Sequence, residues 1–419
     1  MRQPLRDQAI GFMMRGPLKP PSDRIMSPIL PVFSPFPIAF VRGEGVYLYD
    51  AAGKRYLDFG SGVAVSSLGH SHPAVVRAIT EQAQRPLHVS NWYQIPEQYE
   101  AGEALIAHTF ADYVFFANSG TETIDGAIKL IRQYQIYHKH PERYRIITIK
   151  GAFHGRTFAA MSACGKNTFP PDLPGFDAIS FGDWDALESA ITRHTAGILI
   201  EPILGEGGVQ PVPLNQLRRL RELCTQHDLV LCFDEIQTGV GRTGHLYAYE
   251  ATGITPDVLT TAKGLGAGFP VGAILANAKV GGCMQSGMHG STFGGNPLAC
   301  KVVSAVLAEI THTPFLDHVR TMGQWLWDQL TALTKTYPHI FSQVRGAGLM
   351  QGLVCGASLD NRSVALSLME KGLLVIPAGQ NTIRLIPPLI VTKDQIDEAI
   401  AILGDFCEDS SFSFRQHHP

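Results

Sequence analysis

Cysteine is sparse and scattered in this chain. Its seven residues (Cys164, Cys224, Cys232, Cys283, Cys300, Cys355 and Cys407) are odd in number, and no pair is spaced C-x-x-C. That argues against a disulfide framework or a zinc site and reads as small buried hydrophobes in a reducing compartment. No metal is expected. Charge is modest as well: Asp, Glu, Lys and Arg make up 17% of 419 residues, the formal net charge is −3, and the basic residues form no stripe that nucleic acid or an anionic membrane would select. No apolar run approaches the roughly 18 to 20 residues of a membrane helix. The opening stretch, "MRQPLRDQAIGFMMRGPLKPPSDR", lacks an apolar core of signal-peptide length. We therefore expect a cytoplasmic protein with no nucleic-acid or membrane partner, residues 1–30 forming a mobile tail and Met26 an alternative start. Internal repeats, low-complexity segments and a G-x-x-x-x-G-K-S/T phosphate loop are also missing.

What is present is the material of a globular α/β protein. Apolar residues reach 45%, and the length suits two or three units. "GEGVYLYDAAGKRYLDF" alternates apolar and polar residues on both sides of "DAAGK", as a β-hairpin does. From about Leu68 the texture changes. Short apolar runs ("YVFFANSG", "RIITIK", "AGILIEPI", "DLVLCFDE") alternate with helical spacing ("PAVVRAITEQAQ", "TETIDGAIKLIRQYQIYH", "LNQLRRLRELCTQH"). Near-continuous apolar strands between helices indicate a mainly parallel sheet covered on both faces. After about Thr311, helices separate shorter strands ("LLVIP", "TIRLIPP") and the chain closes on "KDQIDEAIAILGDF". The expected organisation is a large domain over 68–310, with a smaller α+β domain built from 31–67 and 311–419.

In open α/β sheets ligands bind beyond the carboxyl ends of the strands, and four polar clusters fall there. Ser119, Gly120 and Thr121 mark a strand-to-helix turn suited to an anion such as phosphate, although a plain N-cap explains Ser or Thr equally. Asp234 and Glu235 end an apolar strand, where a carboxylate needs a cation or donor; adjacent residues point to opposite faces, so one acid faces inward. A cap or a salt bridge is the structural alternative. "FHGR" offers Phe153 as an aromatic plane and Arg156 as a fixed cation, against the ordinary readings of core Phe and surface Arg. Lys263, in "LTTAKGLGAGFP", is a strand-end lysine beside glycines, where partial desolvation makes a nucleophilic amine. Together they describe one ligand, with a phosphate, an aromatic ring, a ring cation and an aldehyde, as in pyridoxal 5′-phosphate.

With these residues in place, the sequence resembles the class-III, pyridoxal-phosphate-dependent aminotransferases of fold type I over about Pro37–Leu403. "NSGTE", "FHGRT", "EPILGEGGV", "FDEIQTGVGRTG", "TTAKGLGAGFP", "HGSTFGGNPLAC" and "TIRLIPPLI" follow one another in the family's order. The resemblance implies that Lys263 holds the cofactor as a Schiff base and moves the proton, Asp234 pairs with the pyridinium, and Gln237 bonds the phenolic oxygen. It puts Phe153 over the ring and Gly120 and Thr121 on the phosphate, and it brings Thr292, with Ser291 beside the substrate, from a neighbouring subunit of a homodimer. Arg156 would take the distal carboxylate of the substrate and Arg384 the proximal one. Glu206 would neutralise Arg384 for an aliphatic ω-amine and release it for glutamate.

The implied reaction moves the terminal amine of N-acetylornithine, or a similar ω-amino donor, to 2-oxoglutarate by a ping-pong route. Ornithine, succinylornithine and 4-aminobutyrate are the alternative donors. An aminomutase or racemase on the same fold is a further alternative, against which the presence of both Arg384 and Glu206 counts. The chain departs from the family at Thr123, Ile124 and Asp125, usually Ala, Asn and Glu, where altered helix packing is expected. It departs again at Phe33, where relatives often place a tyrosine near the distal carboxylate.

Overall fold

The computed structural model describes residues 29–165 and 172–409. The expected tail over 1–30, except for its last two residues, and the alternative start at Met26 lie outside the described residues. The centre of the molecule is a seven-stranded sheet. Its strand order is Tyr113–Ala117, Gly272–Ala276, Val258–Thr261, Val230–Asp234, Thr195–Ile200, Arg145–Ile149 and Phe176–Ile179. Only Gly272–Ala276 runs against the rest, pairing antiparallel with both neighbours, so the mainly parallel sheet read from the sequence is present.

Alternation along these apolar strands explains why both faces are dry. Ile147, Ile149, Ile198, Ile200, Leu231, Phe233 and Leu275 enter one core. Their neighbours Ile146, Leu199, Val230, Cys232 and Ile274 enter another, as a period of two requires. The second core is closed by the helix Gly120–Tyr137, whose Ile124, Ala127, Ile128 and Ile131 repeat at helical spacing. Thr123 and Ile124 are both fully buried, and Asp125 accepts from Thr157 Oγ1 at 2.9 Å. The helix Pro297–Ile310 starts with proline at its first position and Asn296 capping Ala299 N at 2.9 Å. Its Val302, Val303, Val306 and Ile310 join the first core.

The hairpin Tyr47–Asp50 with Arg55–Asp58 forms as read, and a strand missed in the sequence, Phe40–Glu44, extends it. Its far edge pairs in parallel with Leu373–Leu374, so N-terminal and C-terminal segments share one sheet. A second four-stranded, antiparallel sheet contains Phe341–Ala347, Met350–Cys355, Thr382–Leu385 and Ile376–Ala378. The helices Phe315–Thr336, Asn361–Glu370 and Lys393–Glu408 accompany it. One buried cation ties this part to the central sheet's loops: Arg242 Nη1 donates to Leu349 O at 2.9 Å and Pro387 O at 2.5 Å. Burial lowers its guanidinium pKa to about 9. Six cysteines are buried and Cys407 is half-buried. Among the described residues no helix is long and apolar enough to cross a membrane, and no group of three or more His, Cys, Asp or Glu could hold a metal ion.

Candidate active site

A cavity of about 410 Å³ opens where the parallel strands end, lined among others by Gly120, Thr121, Phe153, Arg156, Asp234, Gln237 and Lys263. They arrive from four different strands. Gly120 and Thr121 follow Tyr113–Ala117, Phe153 and Arg156 follow Arg145–Ile149, Asp234 ends Val230–Asp234, and Lys263 lies two residues past Val258–Thr261. The four clusters singled out in the sequence therefore converge on one cavity.

Asp234 and Glu235 diverge as adjacent strand residues must. Asp234 is 2% exposed and lines the cavity. Its Oδ2 lies 2.7 Å from His154 Nδ1, and its Oδ1 accepts from Ile236 N at 3.0 Å and Thr260 Oγ1 at 3.4 Å. Glu235 turns into the first core and accepts from Ala248 N at 2.6 Å, Tyr249 N at 2.9 Å and Thr238 Oγ1 at 3.0 Å. Burial raises its pKa to about 7 against those hydrogen bonds. The capping alternative thus applies to Glu235 and not to Asp234.

Lys263 is half-buried and sits at φ 44°, a left-handed backbone conformation that a lysine adopts only where its surroundings impose it. Burial lowers its amine pKa to about 8; the Arg384 charge pushes the same way, while Glu206, Glu201 and Asp234 oppose both. An amine with that pKa is in part neutral near pH 7 and can act as a nucleophile or base.

On the phosphate side, the helix begins at Gly120, with Ser119 Oγ accepting from Glu122 N at 3.4 Å. Its first N–H groups point beyond the helix end. Thr121 Oγ1 accepts from Arg156 N at 3.1 Å and Thr157 N at 3.2 Å. Gly155 permits this approach: its φ is 130°, and a Cβ there would lie 2.2 Å from Thr121 Oγ1. The Arg156 guanidinium stands 5.0 Å from the Phe153 ring centroid.

Arg384 reaches toward the same cavity from the second sheet. It is 1% exposed, its Nη2 lies 2.7 Å from Glu206 Oε1, and its Nη1 donates to Gln237 Oε1 at 3.1 Å. Its buried Nε has no hydrogen-bond partner. Arg384 and Glu206 do not line the cavity themselves but adjoin it through Gln237, which does. Ser291 and Thr292 do not line it either; Ser291 Oγ accepts from Asn118 Nδ2 at 3.1 Å and Gly294 N at 2.9 Å, and Thr292 is exposed. Phe33 is exposed and also off the cavity.

Two buried residues escaped the sequence reading. Burial pulls the His154 pKa down, but Asp234 and then Glu201 outweigh it and leave the imidazole raised. Glu201, 5% exposed, accepts from Phe153 N at 2.8 Å and Gly205 N at 3.1 Å. Its signal was available, because it is a carboxylate directly after a fully buried strand, as Asp234 is at the end of one.

This arrangement defines a class. The family model "Aminotransferase class-III" matches residues 31–406, and the chain belongs to the class-III aminotransferases. An acetylornithine aminotransferase of Mesorhizobium japonicum is 49% identical over 378 residues, 89% of this chain and 94% of the relative. One of Synechocystis sp. is 44% identical over 90% of each. Among solved structures, the ornithine aminotransferase of Toxoplasma gondii ME49 matches with a TM-score of 0.86 at 32% identity, covering 92% of this chain and 93% of that one. An acetylornithine aminotransferase of Elizabethkingia anophelis matches at 0.81 and 32%, covering 90% and 95%.

The chain is thus an aminotransferase dependent on pyridoxal 5′-phosphate, with amino-acid and keto-acid substrates. The residues present fit that cofactor: an amine of lowered pKa for its aldehyde, a buried carboxylate for its ring nitrogen and a helix N-terminus for its phosphate.

Proposed function

We propose that this chain is an acetylornithine aminotransferase. It transfers the terminal amine of N-acetylornithine to 2-oxoglutarate in two half-reactions, giving N-acetylglutamate semialdehyde and glutamate. The observation that carries this reading is the pair formed by buried Arg384 and part-exposed Glu206 at 2.7 Å. A paired guanidinium presents little net charge to an aliphatic ω-amine, whereas a carboxylate that displaces Glu206 gains a bidentate partner. Such alternation suits a donor whose carboxylate is distal and an acceptor whose carboxylate is proximal, and Arg156 takes the distal one.

When bound, the cofactor supplies an electron sink for the carbanion chemistry. Lys263 holds it and takes and returns a proton at the substrate carbon. Asp234, fixed by His154, keeps the ring nitrogen protonated. Gln237 has its Oε1 engaged by Arg384 and offers Nε2 to the phenolic oxygen. Gly120 and Thr121 hold the phosphate and Phe153 covers the ring.

Thr292 and Ser291 act at the cavity of a second copy in a homodimer. Support comes from the fact that neither lines its own cavity and from the exposed apolar residues near them, Phe293 at 60% and, on the loop whose Asn91 bonds Ser291 O at 2.7 Å, Trp92 at 91% and Tyr93 at 72%. We infer a cytoplasmic enzyme.

The donor is tested by single-turnover absorbance of the loaded enzyme with N-acetylornithine, ornithine, succinylornithine, 4-aminobutyrate and glutamate. N-acetylornithine should convert the cofactor band fastest among the ω-amines, and glutamate should convert it as well. A faster rate with ornithine, the substrate named for the Toxoplasma structure, would transfer the assignment to that donor.

A further inference from the structure

Glu201 has no part in the roles above, yet its carboxylate joins two separate loops. Oε1 accepts from Phe153 N at 2.8 Å, in the loop that also carries His154 and Arg156. Oε2 accepts from Gly205 N at 3.1 Å, next to Glu206. Gly205 is in turn pressed against Gln237: a Cβ there would lie 2.2 Å from Gln237 Oε1, the atom that receives Arg384 Nη1. A displaced Gly205 would therefore disturb Glu206, Gln237 and Arg384 together.

A space-filling role alone does not account for this residue. Burial, and then the Asp234 charge, push its carboxyl up to about 7, against His154 and the two backbone N–H groups, so keeping an acid here is costly. What an acid offers is two acceptor oxygens on one short stem. An amide has one acceptor oxygen, and in its place one of the two backbone N–H groups would face an NH2 donor.

We propose that Glu201 is a positioning residue that locks the loop of Phe153 and Arg156 to the loop of Glu206, setting the ring cover and both substrate-carboxylate sites as one unit. The substrate consequence rests on the roles proposed above, whereas the lock itself rests only on the hydrogen bonds. The test is amide hydrogen exchange on the cofactor-loaded enzyme, wild type against Glu201→Gln, with steady-state kinetics on the same samples. Exchange in 151–156 and in 203–208 should accelerate together by about tenfold or more, while the strand amides of Leu231–Phe233 stay as in wild type. KM for the ω-amino donor and for 2-oxoglutarate should both rise about tenfold, with a smaller fall in kcat.

Acceleration in one loop only, or in neither, overturns the lock. Acceleration in both with unchanged KM values supports the lock and overturns the substrate roles of Arg156, Glu206 and Arg384. Should the variant not fold, native-state exchange of the wild type decides: the two loops should open with one free energy and one denaturant dependence, and separate openings overturn the proposal.

Discussion

The surroundings of Lys263 and those of Thr292 are built on different principles. Around Lys263, five strands of one sheet deliver their carboxyl ends to one cavity, and several polar groups are held by others from the same chain: Asp234 by His154, Gln237 by Arg384, Thr121 by the backbone of the Arg156 loop. Around Thr292 the chain shows an exposed loop with Phe293 beside it, next to a separate cavity lined also by Glu122, Asp125 and Lys129 and not by Lys263. The first region is complete within one copy as geometry. The second we propose to act against another surface, in the homodimer inferred above.

The sharpest way to break this contrast is at the lysine. Lys263→Ala should lower turnover by a factor on the order of 10²–10⁴ or more, read in steady-state assays with cofactor in excess. Turnover near that of wild type would remove Lys263 from the chemistry. The same substitution tests the lowered amine. With the folded-state value at about 8 and the ordinary lysine value at 10.5, the unfolded chain binds more protons between those limits, so stability rises as pH goes from 8 to 10.5. Denaturant melts of the cofactor-free wild type should show that rise, a few kcal/mol at most, relative to Lys263→Ala.

The second region is tested by mixing. Thr292→Asp sets a carboxylate where a phosphate-bearing cofactor is expected and should lower activity about 10²-fold. Hybrids formed by refolding it with Lys263→Ala should regain up to about half the wild-type rate, since one site of each hybrid then carries neither defect. No recovery in verified hybrids would place Thr292 in its own cavity. The smallest effect concerns Glu206. Glu206→Ala should slow the ω-amine half-reaction about tenfold more than the glutamate half-reaction in single-turnover absorbance. Equal losses would reduce the Arg384 pair to a structural one.

The difference between the regions also explains what could be read before the fold was known. The apolar strands, the helices between them and the four strand-end clusters were legible because burial on two faces leaves an unbroken apolar run and ligand chemistry sits where that run stops. The same reasoning separated Asp234 from Glu235 by alternation alone, but it could not say which of them faced the cavity. Their partners decided that, with His154 reaching one and the amides of Ala248 and Tyr249 the other. Glu201 obeyed the rule applied to Asp234 and was passed over because its partners are backbone N–H groups, which leave no trace in side-chain identity. The roles of Arg384 and Glu206 came from resemblance, since nothing in the spacing of residues 206 and 384 brings them to 2.7 Å. The strand Phe40–Glu44 was missed because its residues are largely exposed and alternate weakly.

Arg242 has a practical consequence. Its guanidinium is clasped by two carbonyls at one end of the second sheet, Leu349 O just before Met350–Cys355 and Pro387 O just after the adjacent antiparallel strand Thr382–Leu385. The wall bearing Asp234 and the wall bearing Arg384 are thereby bolted into one frame. Anyone redesigning this enzyme for another amine should leave that frame untouched and exchange the ends of side chains at positions 156 and 206, because loosening the bolt would misalign both walls at once.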